Sequence, residues 1–351
     1  MATLVQAIRM ALHYGEEHLG VTDIFGEDVG PPLGGVFTAT QGLKTAWNSP
    51  LDERGIIGTA MGIAYAGGSP VAEIQFCDYG FNTIDLLKVA GNQRWASAGN
   101  YDMPIVVMTP SGSGIHGSLY HSHSFESIAT HLPGWKIVMP STPIDAYGLM
   151  LAAIKDPNPV LVLLPKALLR IKGDELIPGE PENDKTLKEM IDAPVGERNG
   201  WQPRWPETAE HIVPIGVATQ ARGGESATIV SYGRTLPVCC QAADELADEG
   251  FTFDVIDLRS IFPYDWRMIS ESIMKTGRVL IVNEDTEVTN FGEHLLRRVI
   301  DEHFYDLLGK PRVLMGDHLP GIGLNHVYEE NSVPQMNHIR QAMQDIASEA
   351  A

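Results

Sequence analysis

The chain has few cysteines and no surplus of positive charge. Only three cysteines, Cys77, Cys239 and Cys240, occur among 351 residues. No metal-type spacing links them to histidines, which favours a reducing compartment. Asp and Glu outnumber Lys and Arg by 45 to 25, which gives a formal net charge of −20. Because binding to nucleic-acid phosphates needs an excess of Lys and Arg, we expect no nucleic-acid partner.

Long apolar runs are also missing. No stretch of about 18 apolar residues occurs, so the sequence predicts no membrane partner or span. Residues 2–18 have helical spacing and lack both the apolar core of a signal peptide and the arginine-rich bias of a transit peptide. We therefore expect a cytoplasmic protein. A processed organelle protein would show the same features.

Short apolar runs alternate with longer amphipathic segments along most of the chain. This alternation is typical of a parallel sheet flanked by helices, and the length favours two domains. We predict an α/β fold with two doubly wound, mostly parallel-sheet domains, at residues 1–172 and 225–351. The predicted strands lie at 21–25, 70–76, 104–109, 136–139 and 160–164 in the first domain, and at 227–231, 253–257, 278–283 and 311–315 in the second.

Residues 173–224 interrupt the alternation. This stretch is dense in Pro, Glu, Asp and Trp and has no clear period, so we predict an irregular linker or insertion. Its Trp201 and Trp205 are expected to pack on the body of the protein, because isolated tryptophans are seldom left in water. A place in a subunit interface is the alternative.

Glu53 lies near the start of residues 50–62, a mostly apolar run with glycines at regular intervals. Pro50 and Asp52 are helix-start signals, and the glycines at 55, 58 and 62 would share one helix face. A carboxylate held against such a dry surface has a raised proton affinity, which makes Glu53 a candidate for proton handling. The alternative is an acidic first-turn residue that only complements the helix dipole.

Two further segments carry candidate chemistry. Residues 72–79 read Ala-Glu-Ile-Gln-Phe-Cys-Asp-Tyr and end a predicted strand, where ligands of open parallel sheets bind. Residues 112–124 form a glycine-rich loop with three histidines, His116, His121 and His123. Histidine suits proton transfer because its pKa lies near neutrality. A metal site is the competing interpretation, but the motif has no acidic third ligand.

Motif by motif, residues 23–165 resemble the beta subunit of the thiamine-diphosphate-dependent 2-oxo acid dehydrogenases. This subunit contains the transketolase-like pyrimidine-binding domain. Further along, residues 255–265, Val-Ile-Asp-Leu-Arg-Ser-Ile-Phe-Pro-Tyr-Asp, resemble the transketolase carboxy-terminal domain. The resemblance implies that residues 1–172 bind the pyrimidine of thiamine diphosphate and that residues 225–351 form the carboxy-terminal domain.

The resemblance also implies roles for individual residues. Glu53 would hydrogen-bond the pyrimidine ring and promote its imino tautomer, while Leu51, Gln75, Phe76 and Tyr79 would help to bind the cofactor. His121 would act as the proton donor in acyl transfer to a lipoyl group. His123 stands where the family has glutamine or aspartate, which departs from the pattern.

Some family members hold a structural potassium ion near the third strand and an Asp-Pro-Asn-Pro segment. A carbonyl-rich shell of oxygens suits such a hard cation. The alternative at residues 156–159 is an ordinary turn that closes a helix. The positions matching the potassium ligands are Ile105, Val106, Ala153, Asp156 and Asn158.

The "G-D-G … N" segment that binds magnesium and diphosphate in this superfamily does not occur in the chain. The resemblance therefore implies an alpha subunit that holds the diphosphate and most of the magnesium contacts, in a heterotetramer with a second beta subunit. A dihydrolipoyl acyltransferase core would be a further partner.

The expected function is that of the beta subunit of a branched-chain 2-oxo acid dehydrogenase, which decarboxylates a 2-oxo acid and transfers the acyl group to lipoyl-lysine. A pyruvate or acetoin dehydrogenase beta subunit is one alternative. A non-catalytic assembly subunit is another, from a different functional class.

Overall fold

The structure is a computed structural model that describes residues 1–194, 196 and 200–349. Contacts divide these residues into two compact units. The first comprises Met1–Ser111, His131–Leu164 and the described part of Leu168–Ile215, and the second comprises Gly112–Thr130, Pro165–Ala167 and residues 216–349. The contiguous domain ranges expected from the sequence stay a prediction. Within the described residues, no helix is long and apolar enough to cross a bilayer.

Helices and strands alternate along most of the chain. The helices are α1 (Leu4–His18), α2 (Gly35–Thr38), α3 (Glu53–Tyr65), α4 (Ile84–Ala96), α5 (Glu126–Thr130), α6 (Pro143–Ile154), α7 (Asp184–Ile191), α8 (Thr235–Ala247), α9 (Trp266–Thr276), α10 (Phe291–His303), α11 (His326–Ser332) and α12 (Met336–Ser348). The strands are β1 (Asp23–Gly26), β2 (Ala46–Asn48), β3 (Pro70–Glu73), β4 (Val106–Ser111), β5 (Lys136–Val138), β6 (Val160–Pro165), β7 (Thr219–Arg222), β8 (Ala227–Ser231), β9 (Phe253–Asp257), β10 (Ser260–Phe262), β11 (Val279–Thr286) and β12 (Arg312–Gly316).

A parallel sheet forms the centre of the first unit. Its strands lie in the order β5-β6-β4-β3-β1-β2, and the pairs β1–β2, β1–β3, β3–β4 and β5–β6 are parallel. Every residue of β4 and β6 is buried, as expected for strands covered on both faces. The predicted α/β class is confirmed for this unit.

Local sequence signals explain where the long helices of this unit begin. The Thr3 hydroxyl accepts the backbone N–H of Gln6, whose side chain accepts the N–H of Thr3, so α1 starts with a capping box. Thr142 caps α6 in the same way by accepting the N–H of Asp145, and proline follows at the first helical position. These two helices pack on each other and bury apolar side chains of the unit's core.

The second unit contains a five-stranded sheet of order β12-β11-β8-β9-β7. Its pairs are parallel except β7–β9, which places one antiparallel strand at the edge. Helix α5 belongs to this unit: the Ser127 hydroxyl donates to Asp285 and accepts the backbone N–H of Phe291 at 3.0 Å. The predicted mostly parallel sheet is confirmed here as well.

The segment predicted to be irregular contains the short helix α7. Leu187 and Ile191 are buried, four residues apart on one helix face. Trp205 stacks on His13 with ring centroids 4.1 Å apart, which confirms the expected packing for this tryptophan. The Trp201 ring lies 3.3 Å from the place of a side-chain carbon added at Gly42. Beside α7, the guanidinium of Arg9, 1% exposed, lies 2.9 Å from the Asp192 carboxylate and anchors this segment to α1.

Candidate functional site

Glu53 is the first residue of α3, as the helix-start signals predict. Asp52 precedes it in an extended conformation, and neither its side chain nor another side chain caps the helix. The Glu53 carboxylate is half-buried and accepts a hydrogen bond from the Asn82 side-chain amide at 3.2 Å. A first-turn carboxylate is stabilised by the positive end of the helix dipole. Because the Glu53 carboxylate is only half-buried, it can accept a further hydrogen bond in addition to that from Asn82.

The glycine face of α3 is open at two of its three glycines. Among the described residues, a side-chain carbon added at Gly58 or Gly62 would meet nothing within 4 Å, whereas one added at Gly55 would lie 2.7 Å from an Asp52 carboxylate oxygen. Leu51, just before the helix, is 82% exposed. The dry surface expected around this helix is therefore not supplied by the first unit itself.

The block after β3 brings two aromatic rings together. The strand ends at Glu73, earlier than the predicted residue 76, because the chain turns into a 3₁₀ helix at Cys77–Thr83. Phe76 is buried and meets Tyr79 edge to face, with centroids 5.7 Å apart. Gln75 is half-buried and donates to the Asp28 carboxylate at 3.4 Å.

The charges of Glu53 and Glu27 act on each other and on Tyr79, and Glu27 is a residue that was not predicted from the sequence. Burial raises the pKa of Glu27, and the neighbouring charges of Glu53 and Asp28 raise it further. The pKa of Tyr79 is also raised, first by burial and then by Asp78, Glu27 and Glu53. One buried oxygen of Glu27 has no hydrogen-bond partner within the described residues. Its position directly after β1, at a strand end, was the available signal.

A second missed carboxylate, Glu73, lies beneath a strained turn. It is fully buried and accepts the backbone N–H of Val36 at 2.8 Å, and burial raises its pKa to about 8. The turn is α2, in which Val36, Phe37 and Thr38 have φ values of 34°, 51° and 98°. Left-handed backbone is costly for such residues. The turn places the Phe37 ring edge-on to Phe76, with centroids 5.7 Å apart.

His121 lies in the glycine-rich loop, which belongs to the second unit. Its ring Nδ1 is 3.1 Å from the carbonyl oxygen of Gly117. Because a carbonyl can only accept, Nδ1 carries the proton in this contact. His123 is half-buried, and its carbonyl accepts the N–H of Gly112 at 2.8 Å, which closes the loop.

The metal interpretation of the histidine loop finds no support. Within the described residues no group of three or more His, Cys, Asp or Glu side chains is arranged to hold a metal ion. The ring of His116 instead pairs with the Glu329 carboxylate.

The residues matched to the potassium site form a turn with internal contacts. One Asp156 oxygen accepts both the backbone and the side-chain N–H of Asn158 at 2.9 Å, and the other pairs with Lys136. The carbonyls of Ile105 and Ala153 accept backbone N–H groups at 3.0 and 3.2 Å. Val106 opens β4, and its side chain is buried. These contacts are those of the turn alternative, and potassium binding stays a prediction.

Comparison with known proteins agrees with the fold and the motifs. The family models described as transketolase pyrimidine binding domain and transketolase C-terminal domain match residues 3–172 and 216–339. A solved structure, a split gene transketolase described as an inactive beta4 tetramer, aligns over 100% of both chains with a TM-score of 0.71 at 16% identity. This similarity shows the fold.

Curated relatives define the family more closely. The 2-oxoisovalerate dehydrogenase subunit beta of Bacillus subtilis is 33% identical over 98% of both chains. That of Pseudomonas aeruginosa is 36% identical over 88% of this chain and 85% of its own. A pyruvate dehydrogenase E1 component subunit beta, from Acholeplasma laidlawii, is 33% identical over 88% of this chain and 87% of its own. The chain therefore belongs to the family of 2-oxo acid dehydrogenase beta subunits.

Proposed function

We propose that this chain is the beta subunit of a branched-chain 2-oxo acid dehydrogenase and supplies the pyrimidine half of its thiamine diphosphate site. The observation that carries the proposal is Glu53, a half-buried carboxylate at the start of α3 with room for another hydrogen bond. The name shared by the curated relatives from Bacillus and Pseudomonas supports the choice of substrate class.

The residues around Glu53 fit a flat aminopyrimidine. Phe76 and Tyr79 offer aromatic surface, and Gln75 offers an amide. The Glu27 oxygen without a partner in the described chain can accept a hydrogen bond from a bound group. When bound, thiamine diphosphate supplies the electron sink for decarboxylation. Glu53 would then hold a proton at the pyrimidine ring nitrogen, and Leu51 would contact the ring.

His121 would act in the second half of the reaction. A ring protonated on both nitrogens, with its Nδ1–H donated to the Gly117 carbonyl, would give its Nε2 proton to the lipoyl sulfur that is released when the lipoyl S–S bond opens during acyl transfer. This role predicts that the two partial reactions depend on different residues of the chain.

An alpha subunit would complete the site. The sequence has no diphosphate motif of the superfamily, so the alpha chain would hold the diphosphate and most of the magnesium contacts. The open part of α3 at Gly58 and Gly62 and the exposed Leu51 are consistent with a surface that another chain covers. A second beta subunit, the dihydrolipoyl acyltransferase core and a cytoplasmic location belong to the same proposal.

Pyruvate is the alternative substrate, favoured by the similarity to the Acholeplasma subunit. A panel of 2-oxo acids, offered to the chain produced together with its own alpha subunit, separates the two. Faster turnover of branched-chain substrates than of pyruvate is expected, and the reverse order would transfer the assignment to pyruvate.

The experiment on Glu53 uses the same complex. Glu53→Gln should lower decarboxylation about 100-fold or more, the range of a lost acid-base group, when turnover is measured with an artificial electron acceptor. Asp52→Asn is the matched control, because it removes a charge from the exposed neighbouring residue. Near-normal activity of Glu53→Gln would overturn the catalytic assignment and favour a non-catalytic assembly subunit.

A further inference from the structure

Two carboxylates from the second unit hold the glycine-rich histidine loop by its backbone. Glu329, on α11, is 3% exposed. Its two oxygens accept the backbone N–H groups of Gly114 and His116, the latter at 3.0 Å, and the His116 ring pairs with the same carboxylate. Hydrogen bonds from amides to a buried carboxylate are stronger than those between neutral groups.

Glu284, at the end of β11, makes the second set of contacts. One of its oxygens accepts the backbone N–H and the hydroxyl of Ser113, at 3.1 and 2.7 Å. The guanidinium of Arg234 donates to the same oxygen at 2.8 Å and compensates its charge. The backbone N–H groups of residues 113, 114 and 116 are therefore fixed by carboxylates more than 160 positions away in the sequence.

The loop needs such support because its backbone is strained. Gly112 and Gly114 have φ values of 84° and 107°, and His116 and Ser118, which are not glycines, have 55° and 60°. Positive φ at such residues persists only where surrounding contacts impose it. A side-chain carbon added at Gly114 would lie 2.6 Å from that of Ala167, so the backbone there is tightly enclosed.

We propose that Glu329 is a positioning residue for His121, fixing the loop so that the histidine ring is held where acyl transfer requires it. This inference rests on the proposed function, because it takes His121 as the proton donor. The link is short: Glu329 fixes residue 116, and the carbonyl of the next residue, Gly117, holds the His121 ring. A loop displaced by about 1 Å would cost up to about 100-fold in rate.

The test compares Glu329→Gln with Glu330→Gln in the complex with the alpha subunit. Glu329→Gln removes the charge and one of the two acceptor oxygens. Glu330→Gln makes the same charge change on the adjacent residue, whose side chain is exposed. Glu329→Gln should lower kcat for acyl transfer to a lipoyl domain about tenfold or more, with the KM for that domain unchanged. Decarboxylation measured with the artificial acceptor should stay within about twofold, and Glu330→Gln should match wild type in both reactions.

A readout independent of activity accompanies this comparison. Amide hydrogen exchange of the peptide covering residues 112–124 should be faster in Glu329→Gln than in wild type or Glu330→Gln. Gly114→Ala, which disturbs the same contact from the loop side, should give the same selective loss of acyl transfer. Wild-type exchange and acyl transfer in Glu329→Gln would overturn the inference, and so would an equal loss of both partial reactions.

His121→Ala distinguishes a failure of the positioning role of Glu329 from a failure of the proposed role of His121. If it lowers acyl transfer selectively while Glu329→Gln does not, the positioning role is wrong and the proposed role of His121 stands. If His121→Ala leaves acyl transfer intact, the proposed function of the histidine fails, and with it the positioning role.

Discussion

Replacing Glu73 by glutamine should make the protein more stable at neutral pH. The wild-type carboxyl is fully buried, and burial raises its pKa from 4.5 to about 8. Between pH 4.5 and about pH 8, therefore, the Glu73 carboxyl is protonated in the folded state and ionised in the unfolded state. The stabilising contribution of this proton is complete below pH 4.5 and is lost as the pH rises toward 8. Glutamine does not titrate and keeps an oxygen for the Val36 N–H.

The magnitude follows from the two pKa values. Each pH unit within the window costs the wild type about 1.4 kcal/mol, so its free energy of unfolding should fall relative to that of Glu73→Gln by about 2.5 kcal/mol between pH 5 and pH 7. Contributions of other titrating groups cancel in the difference. Urea unfolding of both proteins at a series of pH values measures it.

Glu175→Gln, at an exposed position, serves as the control and should show no such trend. A difference between wild type and Glu73→Gln that stays constant from pH 5 to pH 7 would refute the reasoning. It would mean that the Glu73 carboxyl has an ordinary pKa in the folded protein.

Two further predictions concern residues 184–205, which follow strand β6 in the sequence. Asp192→Ala leaves the buried Arg9 cation without its carboxylate and should lower the free energy of unfolding by about 3 kcal/mol. The control Asp184→Ala breaks an exposed pair with Lys172 and should leave the unfolding midpoint unchanged. Equal midpoints for the two variants would contradict this prediction. Trp205→Ala removes the stack on His13 and should cost about 2 kcal/mol in the same urea titrations. A wild-type midpoint would show that this segment does not stabilise the first unit.

Much of the fold was predictable because strong local signals and long-range packing agree. Helix α6 begins at Pro143 because a threonine cap and a first-turn proline, both readable in the sequence, mark its start. The sequence placed strands Ala227–Ser231 and Phe253–Asp257 with the observed bounds, because short runs rich in β-branched residues are typical of strands.

Helix α7 was missed for the opposite reason. It spans only eight residues, and charged residues outnumber the apolar ones that face the core. Asp192, which directly follows the helix, pairs with the buried Arg9, and the two residues are 183 positions apart. No window of sequence contains that pair, so no local pattern could reveal it.

The candidate site divides in the same way. Glu53 and the aromatic block could be found because the residues that carry the chemistry lie next to glycine and strand signals. Glu27 could have been found from its place at the end of β1, but its raised pKa comes from burial and from neighbouring charges. Glu73 and Glu329 could not be found: burial raises the pKa of Glu73, and Glu329 reaches the histidine loop from 213 positions away. Burial and distant pairing are properties of the tertiary structure and leave no periodicity in the chain.

The placement of Gly112–Thr130 in the second unit has a consequence for building chimaeras. In a chimaera joined at residue 216, the carboxy-terminal domain of a relative would lack its own segment 112–130. In this chain that segment carries Ser113 and Ser127, the donors to Glu284 and Asp285. Two buried acidic side chains would then depend on a loop from the other parent. Exchanges among family members should therefore carry residues 112–130 together with the carboxy-terminal domain, although the two are separate in the gene.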